Sequence, residues 1–436
     1  MHADVASNVR SALAQIGHGR LQPFPVTVRF WDGSTLRGRS ATPVAVVRSP
    51  QALAYLLRAP NQLGLARAWV TGAIDVEGDL EAALAVRNRF SGITVSAVER
   101  LRLAAAALRA APAVLLERVA APSIEASPRG RRHSLTRDRT AVRHHYDLSN
   151  DFYRLVLGPS LTYSCAYFET PEDTLEAAQE QKHDLICRKL RLSPGERLLD
   201  IGCGWGSLLL HAASHYGVRG VGVTLSEPQG ELARQRVRGQ GLSDRVEIRV
   251  SDYRQIGDGP FDKIVSVGMY EHVGASELGH YASTVAGLLR PGGLFLNHGV
   301  TRLNSEQPGY DTFISRYIFP DGELHPVTQI QTAMRSAGLE VRDVESLREH
   351  YPLTLRRWLA NLEAARPKAV ALVGPERERA WRLYILGSAL GFEDGEVSVY
   401  QVLAARRGAD HGLPLTRSDL LAPLQTSHRE VMTSAG

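Results

Sequence analysis

The stretch LLDIGCGWGS, residues 198–207, carries glycines at 202, 204 and 206 between an apolar run and a helical pattern. Glycines so spaced let backbone approach a ligand closely at the carboxyl end of a strand. A dinucleotide-binding turn needs G-x-G-x-x-G, with Gly or Ala at 207, and the residue there is Ser207. The spacing is G-x-G-x-G, preceded by Asp200. A glycine turn in some other α/β fold stays open at this point. Outward from the turn, the strand-like runs RLLDIG, RGVGVTL, VEIRVS, DKIVSVG and LFLNHGV alternate with helical stretches such as GSLLLHAASHY and EPQGELARQRVRGQ. Strands separated by helices predict a parallel sheet covered on both faces. Asp252 follows the third strand, Glu271 and His272 follow the fourth, and His298 ends the fifth.

The N-terminal part reads differently. Residues 25–48 alternate, with Val26, Val28 and Phe30 on one face and a DGS turn, which predicts a hairpin and a further strand. SPQALAYLLRA predicts a helix capped by Ser49 with Pro50 at its first position. A second helix begins near Asp79, and an Ala/Leu-rich helical stretch runs over 97–121. The expected organisation is a small α+β domain at 1–122, a basic linker at 123–142, an α/β domain at 143–410 and a tail at 411–436.

At 436 residues the chain exceeds one ordinary core. Cys165, Cys187 and Cys203 are widely spaced with no C-x-x-C, which argues against a disulfide framework or a cysteine zinc site and fits a reducing compartment. No metal is expected. The N-terminus has no apolar core of a signal peptide. The most apolar stretch, LAAAALRAAPAVLLERVAAP, is cut by Arg109, Glu117, Arg118 and prolines, so no bilayer span is expected. Net charge is only +5, yet SPRGRRHSLTRDRTAVRHH sets arginines 129, 131, 132, 137, 139 and 143 against the single acid Asp138. This run is either a solvated linker or a contact with polyanions. It has no interleaved aromatics, which argues against a single-strand stacking platform. An anionic membrane surface remains, with Arg129, Arg131 and Arg132 as candidate contacts.

The glycine turn with its preceding acid resembles motif I of class I S-adenosylmethionine-dependent methyltransferases. Further segments occur in order: HYDLSNDFYRLVLGPSLTYSCAYFE, LLDIGCGWG, VGVTLSEPQ, SVGMYEHVG, RYIFPDGEL and HYPLTLRRW. Together they resemble the cyclopropane-fatty-acid synthase and mycolic-acid cyclopropane synthase family, densely from about 143 to 402. WVTGAIDVEGDL resembles the end of the N-terminal domain of the phospholipid-acting members. The resemblance implies a Rossmann-like methyltransferase domain with a helical lid behind an N-terminal, lipid-binding-like α+β domain. It carries the cofactor residues onto Tyr163, Ser164, Asp200, Gly202, Gly204, Gly206, Thr224, Ser226, Gln229, Asp252 and Tyr253. The second strand lacks a terminal acid, and Thr224 and Gln229 are expected to serve in its place. A bicarbonate ion is implied too, held by the side chains of Glu271, His298 and Tyr351 and by main-chain groups of Cys165 and Val300.

The implied chemistry is methylation of an alkene. It creates a carbocation, from which water must be excluded and from whose new methyl a base removes a proton as a ring closes. Bicarbonate is the implied base. Tyr167, Tyr317 and Phe319 are candidates to stabilise the cation by their π faces. Two departures from the family stand out. This chain reads His298-Gly299-Val300 where many members read His-Thr-Ile, and Ser388 replaces a late cysteine. Gly299 is expected to loosen the backbone beside the ion. The expected partners are unsaturated phospholipid acyl chains and an anionic membrane surface, with no nucleic acid and a homodimer left open. The expected location is cytoplasmic, against the inner face of the membrane. The competing readings are a fatty-acyl methyl- or methylenetransferase, a methyltransferase for a small natural product, and a catalytically inactive lipid-binding protein.

Overall fold

The computed structural model describes residues 4–14, 26–39, 42–59, 61–85, 105, 119–127, 130–146, 148–303, 312–418 and 420. Most of the helix expected over 97–121, Arg129 and most of the tail lie outside the described residues. The chain divides into two units, one of 1–129, 308–320 and 358–391, the other of 130–307, 321–357 and 392–436.

The first unit holds four strands: β1 (Thr27–Arg29), β2 (Thr35–Leu36), β3 (Val44–Val47) and β4 (Ile74–Glu77), in the order β2-β1-β3-β4. Val28, Phe30 and Leu36 bury one face of this sheet, as the alternation requires. Two expectations are corrected here. Ser49 does not cap the helix Gln51–Arg58: Pro50 stands at the cap position with no side-chain bond, and the Ser49 hydroxyl is buried without a partner. Nor is the unit one continuous N-terminal domain, because two later segments return to it. The Trp69 indole donates to the Arg379 carbonyl at 2.9 Å, and the Arg379 guanidinium donates to the carbonyls of Trp69 and Ile74 while lying 4.2 Å over the Trp69 ring. Arg67 and the Tyr317 hydroxyl both donate to Glu125. A short α+β segment has little core of its own, and the later helices supply the missing surface.

The second unit holds seven strands: β5 (Arg197–Ile201), β6 (Arg219–Thr224), β7 (Val246–Val250), β8 (Phe261–Val267), β9 (Leu289–Arg302), β10 (Leu339–Ser346) and β11 (Val397–Arg406). Their order is β10-β11-β9-β8-β5-β6-β7. Strands β5 to β9 are parallel, and β11 runs antiparallel to both β9 and β10. An antiparallel strand inserted next to the last one departs from the all-parallel dinucleotide sheet. Period two sends Leu198 to one face and Leu199 to the other, so the central strand is apolar on both sides. Helices Leu175–Lys189, Ser207–Tyr216 and Glu227–Gly239 cover one face; Leu278–Leu288 and Val327–Ser336 cover the other.

The expected linker is not a bare coil. It contains the helix Leu135–Tyr146, and Arg137 holds both oxygens of Asp321, at 2.5 and 2.7 Å, with Arg132 3.6 Å from the same carboxylate. Arg131, Arg139 and Arg143 stay exposed.

Candidate active site

The glycine turn follows the last residue of β5 because left-handed backbone is needed three times: φ is 84° at Gly202, 54° at Gly204 and 79° at Gly206. Side chains disfavour that region. Beyond the turn lies a cavity of about 160 Å³ at the carboxyl edge of the sheet. Of the cofactor candidates, Tyr163, Ser164, Asp200, Gly202, Gly204, Thr224, Gln229, Asp252 and Tyr253 line it. Gly206 and Ser226 do not, and they shape it from behind. Gly206 starts the helix Ser207–Tyr216, and the Ser226 hydroxyl caps Glu227–Gly239. Thr224 donates to Gln229 Oε1 at 2.8 Å, which couples the pair expected to replace an acid. Both oxygens of Asp252 accept from Arg254, which also reaches Asp138, another lining residue. Helix Leu135–Tyr146 thereby walls one side of the cavity. His133, at its start, has its pKa raised by its contact with Glu323.

Tyr163 is set by an aromatic group. Its hydroxyl lies 3.1 Å from His145 Nε2, the two rings stack at 5.5 Å, and Tyr146 and Tyr153 pack within 6.1 Å. Ser164 is fixed from below: Gln179 donates to its carbonyl at 2.9 Å and Lys182 Nζ to its hydroxyl at 3.0 Å. Lys182 is a lining residue that sequence reasoning missed. Burial draws its pKa down to about 7 and pushes that of Asp200 up to about 7.

The five residues named for the ion do not line this cavity. They lie deeper and largely bond to one another's surroundings. Glu271, in a single 3-10 turn after β8, accepts from the Val300 amide at 2.7 Å through Oε1. Its Oε2 is buried with no partner, and burial raises its pKa to about 7. His298 stands two residues along β9 from Val300, where burial holds its pKa well below 6.5. Its tautomer follows from a second missed contact. Lys189 donates to Gln401 Oε1 at 2.7 Å, which turns the amide nitrogen toward His298 Nδ1 at 3.2 Å. Nδ1 accepts, so the proton sits on Nε2, which is buried without a partner. Cys165 is fully buried, and burial pushes its thiol pKa far up. Its sulfur points at the Ala166 and Leu347 carbonyls, not at the cavity. Tyr351 packs its ring 4.6 Å from Phe392.

Gly299 is corrected: it does not loosen the strand. A Cβ there would lie 2.0 Å from Tyr270 Cε1, and the Tyr270 hydroxyl donates to the Val300 carbonyl at 2.7 Å. The glycine admits that ring. Of the cation candidates, Tyr167 stacks on His350 at 4.8 Å in the second unit. Tyr317 and Phe319 belong to the first unit, where they engage Glu125 and Tyr384.

This sheet order, with its glycine turn and edge cavity, defines a class I S-adenosylmethionine-dependent methyltransferase. The family model for mycolic acid cyclopropane synthetase matches residues 133–402, and the chain belongs to that family. A Pseudomonas putida protein named "Probable fatty acid methyltransferase" is 42% identical over 91% of this chain and 96% of its own length. The Escherichia coli cyclopropane-fatty-acyl-phospholipid synthase is 39% identical over 63% of this chain and 69% of its own. The crystal structure of the mycolic acid cyclopropane synthase CmaA1 with SAH and CTAB superposes with a TM-score of 0.59 at 36% identity, covering 62% of this chain and 98% of that one.

Proposed function

We propose that this enzyme transfers a one-carbon unit from S-adenosylmethionine to the cis double bond of an unsaturated acyl chain in a phospholipid, closing a cyclopropane ring. The observation that carries this reading is the pair of buried, partnerless atoms Glu271 Oε2 and His298 Nε2. One can accept or hold a proton and the other donates one. Orphaned buried polar atoms are costly, and a small oxyanion with both donor and acceptor capacity suits them. Bicarbonate fits that donor set, with Glu271, His298 and Tyr351 and the amides of Cys165 and Val300 to hold it, and when bound it supplies a base. S-adenosylmethionine, when bound, supplies the electrophilic methyl.

The chain's own residues do the rest. Tyr163 and Ser164 close the cofactor cavity from the N-terminal side, and Thr224 with Gln229 and Asp252 with Arg254 shape its far walls. Glu271, poised near neutrality, can take a proton at Oε2 without leaving the Val300 amide. Gln401, a positioning residue, keeps the His298 proton on Nε2. The inert Cys165 thiol leaves room and offers its amide. Among the described residues no helix is long and apolar enough to cross a membrane. The acyl chain is therefore drawn from a bilayer at whose anionic surface the enzyme docks through Arg131 and its neighbours.

A second reading, a methyl- or methylene-branched product, is favoured by one observation: two relatives that match nine-tenths of the chain carry fatty acid methyltransferase names. The experiment is lipid mass spectrometry of a host expressing the chain, with methyl-labelled methionine. A chain heavier by one labelled CH2 that resists ozonolysis supports the ring. A chain heavier by one labelled CH2 that ozonolysis cleaves supports the methylene product, a chain heavier by the labelled methyl plus one hydrogen a saturated methyl branch, and no labelled lipid refutes both.

A further inference from the structure

Two opposite charges are buried in the cofactor cavity without satisfying each other. Lys182, on the helix Leu175–Lys189, is 1% exposed, and Asp200, the fourth residue of β5, is 2% exposed. Both line the cavity, and each feels the other's charge, but no hydrogen bond joins them. The Lys182 ammonium has three donors, and its one hydrogen bond goes to a neutral hydroxyl, Ser164. The Asp200 carboxylate accepts no side-chain or backbone donor among the described residues. Isolated buried ions are costly, and each needs a counter-charge. The amino-acid end of S-adenosylmethionine carries an α-carboxylate and an α-ammonium, one charge of each sign.

We infer that Lys182 is the anchor for the cofactor's carboxylate, with Asp200 facing its ammonium, so that the zwitterion completes a four-charge array. This rests on the cofactor assignment and deepens it. Burial explains why the array is incomplete alone: it lowers the Lys182 pKa to about 7 and raises that of Asp200 to about 7, so both charges are weakly held until the ligand enters. Lys182 also lies close enough to Cys165 and His298 for its charge to be felt there. A role toward bicarbonate is therefore the rival outcome.

The test is calorimetry without lipid, comparing S-adenosylhomocysteine, which has the amino-acid end, with 5′-methylthioadenosine, which lacks it. Lys182→Met should weaken the first about 10-fold or more and the second less than about 3-fold. Lys182→Gln, which keeps a donor to Ser164, should show the same selectivity if the charge is what matters, and it serves if the Met variant fails to fold. Binding of S-adenosylhomocysteine to the parent should take up protons near pH 7.5, seen as a dependence of the heat on buffer ionisation, and Lys182→Met should lose it. Equal weakening of both ligands, or unchanged S-adenosylhomocysteine binding, overturns the assignment. So does a variant whose only defect is a raised bicarbonate requirement in turnover. Failure of the parent to bind S-adenosylhomocysteine would instead refute the cofactor assignment itself.

Discussion

Glu271 is a carboxyl whose environment sets its use. The residue is half-buried with its Oε2 enclosed, and the Val300 amide offsets only part of the burial that raises its pKa from 4.5 to about 7. Glu271→Gln keeps the shape and the acceptor toward Val300. It should retain S-adenosylhomocysteine binding by calorimetry while turnover falls about 10²-fold or more, the scale of lost acid–base help. It should also alter stability. A folded-state pKa above the unfolded one favours the fold fully below the unfolded value, and that contribution is lost as pH rises through about 7. The parent should therefore lose more stability than the variant between about pH 4 and 8, by up to about 3 kcal/mol at 1.36 kcal/mol per unit. Matching pH slopes in denaturant melts would show that no such acid is buried. Cys165→Ser should keep substantial activity, because the thiol is held neutral and faces carbonyls; complete loss in a folded variant would point to thiol chemistry. The position of Glu271 just after a strand was legible in the sequence, while its expected role came from the family resemblance. Lys182 and Gln401 were not legible. Each sits in an unremarkable segment, and its meaning comes from burial against distant chain, Gln401 reaching across 103 residues to His298.

At the level of elements, the 3-10 turn after β8 and the strand β9 fit a large residue against a small one. Tyr270 fills the space that Gly299 leaves, so the departure from His-Thr-Ile is local repacking beside Val300. Gly299→Ala should force the ring aside and destabilise the unit by about 1–3 kcal/mol, the usual range for overpacking. Pairing it with Tyr270→Leu should recover part of the loss, measured as denaturation midpoints; an unaltered midpoint in the single variant would mean the strand has slack. The parallel strands and the glycine turn were legible because they depend on neighbours in sequence, period two and a few left-handed positions. The position of β11, inserted antiparallel beside β9, was not, because no local pattern states a strand's partner. The helix Leu135–Tyr146 was hidden under its charge: the arginine run read as a solvated linker or a polyanion contact, yet Arg137 is bound to Asp321, 184 residues on.

For the whole molecule, the proposed docking rests on the arginine run, and of the residues the sequence singled out Arg131 alone is both described and exposed. Arg132 and Arg137 lie against Asp321, whereas Arg131, Arg139 and Arg143 are exposed. Each basic side chain near an anionic bilayer adds roughly 1 kcal/mol, fading over a Debye length of about 8 Å at physiological salt. Replacing these three by Ser should lower binding to anionic vesicles and activity on them together, with less effect on detergent-dispersed lipid. Unchanged vesicle sedimentation would leave the run a solvated surface.

The return of residues 358–391 to the first unit has a consequence for biosynthesis. Trp69 leaves the ribosome about 310 residues before the Arg379 that holds its indole and covers its ring. The module made first is thus the last to be finished. While the β5 to β9 sheet is being translated, the N-terminal strands wait with an open flank. A polypeptide of residues 1–129 alone should bind a hydrophobic dye and exchange its amides quickly, even though it holds every strand of its sheet. Emergence of residues 358–391, not of the N-terminus, marks the moment at which the first unit can complete its structure.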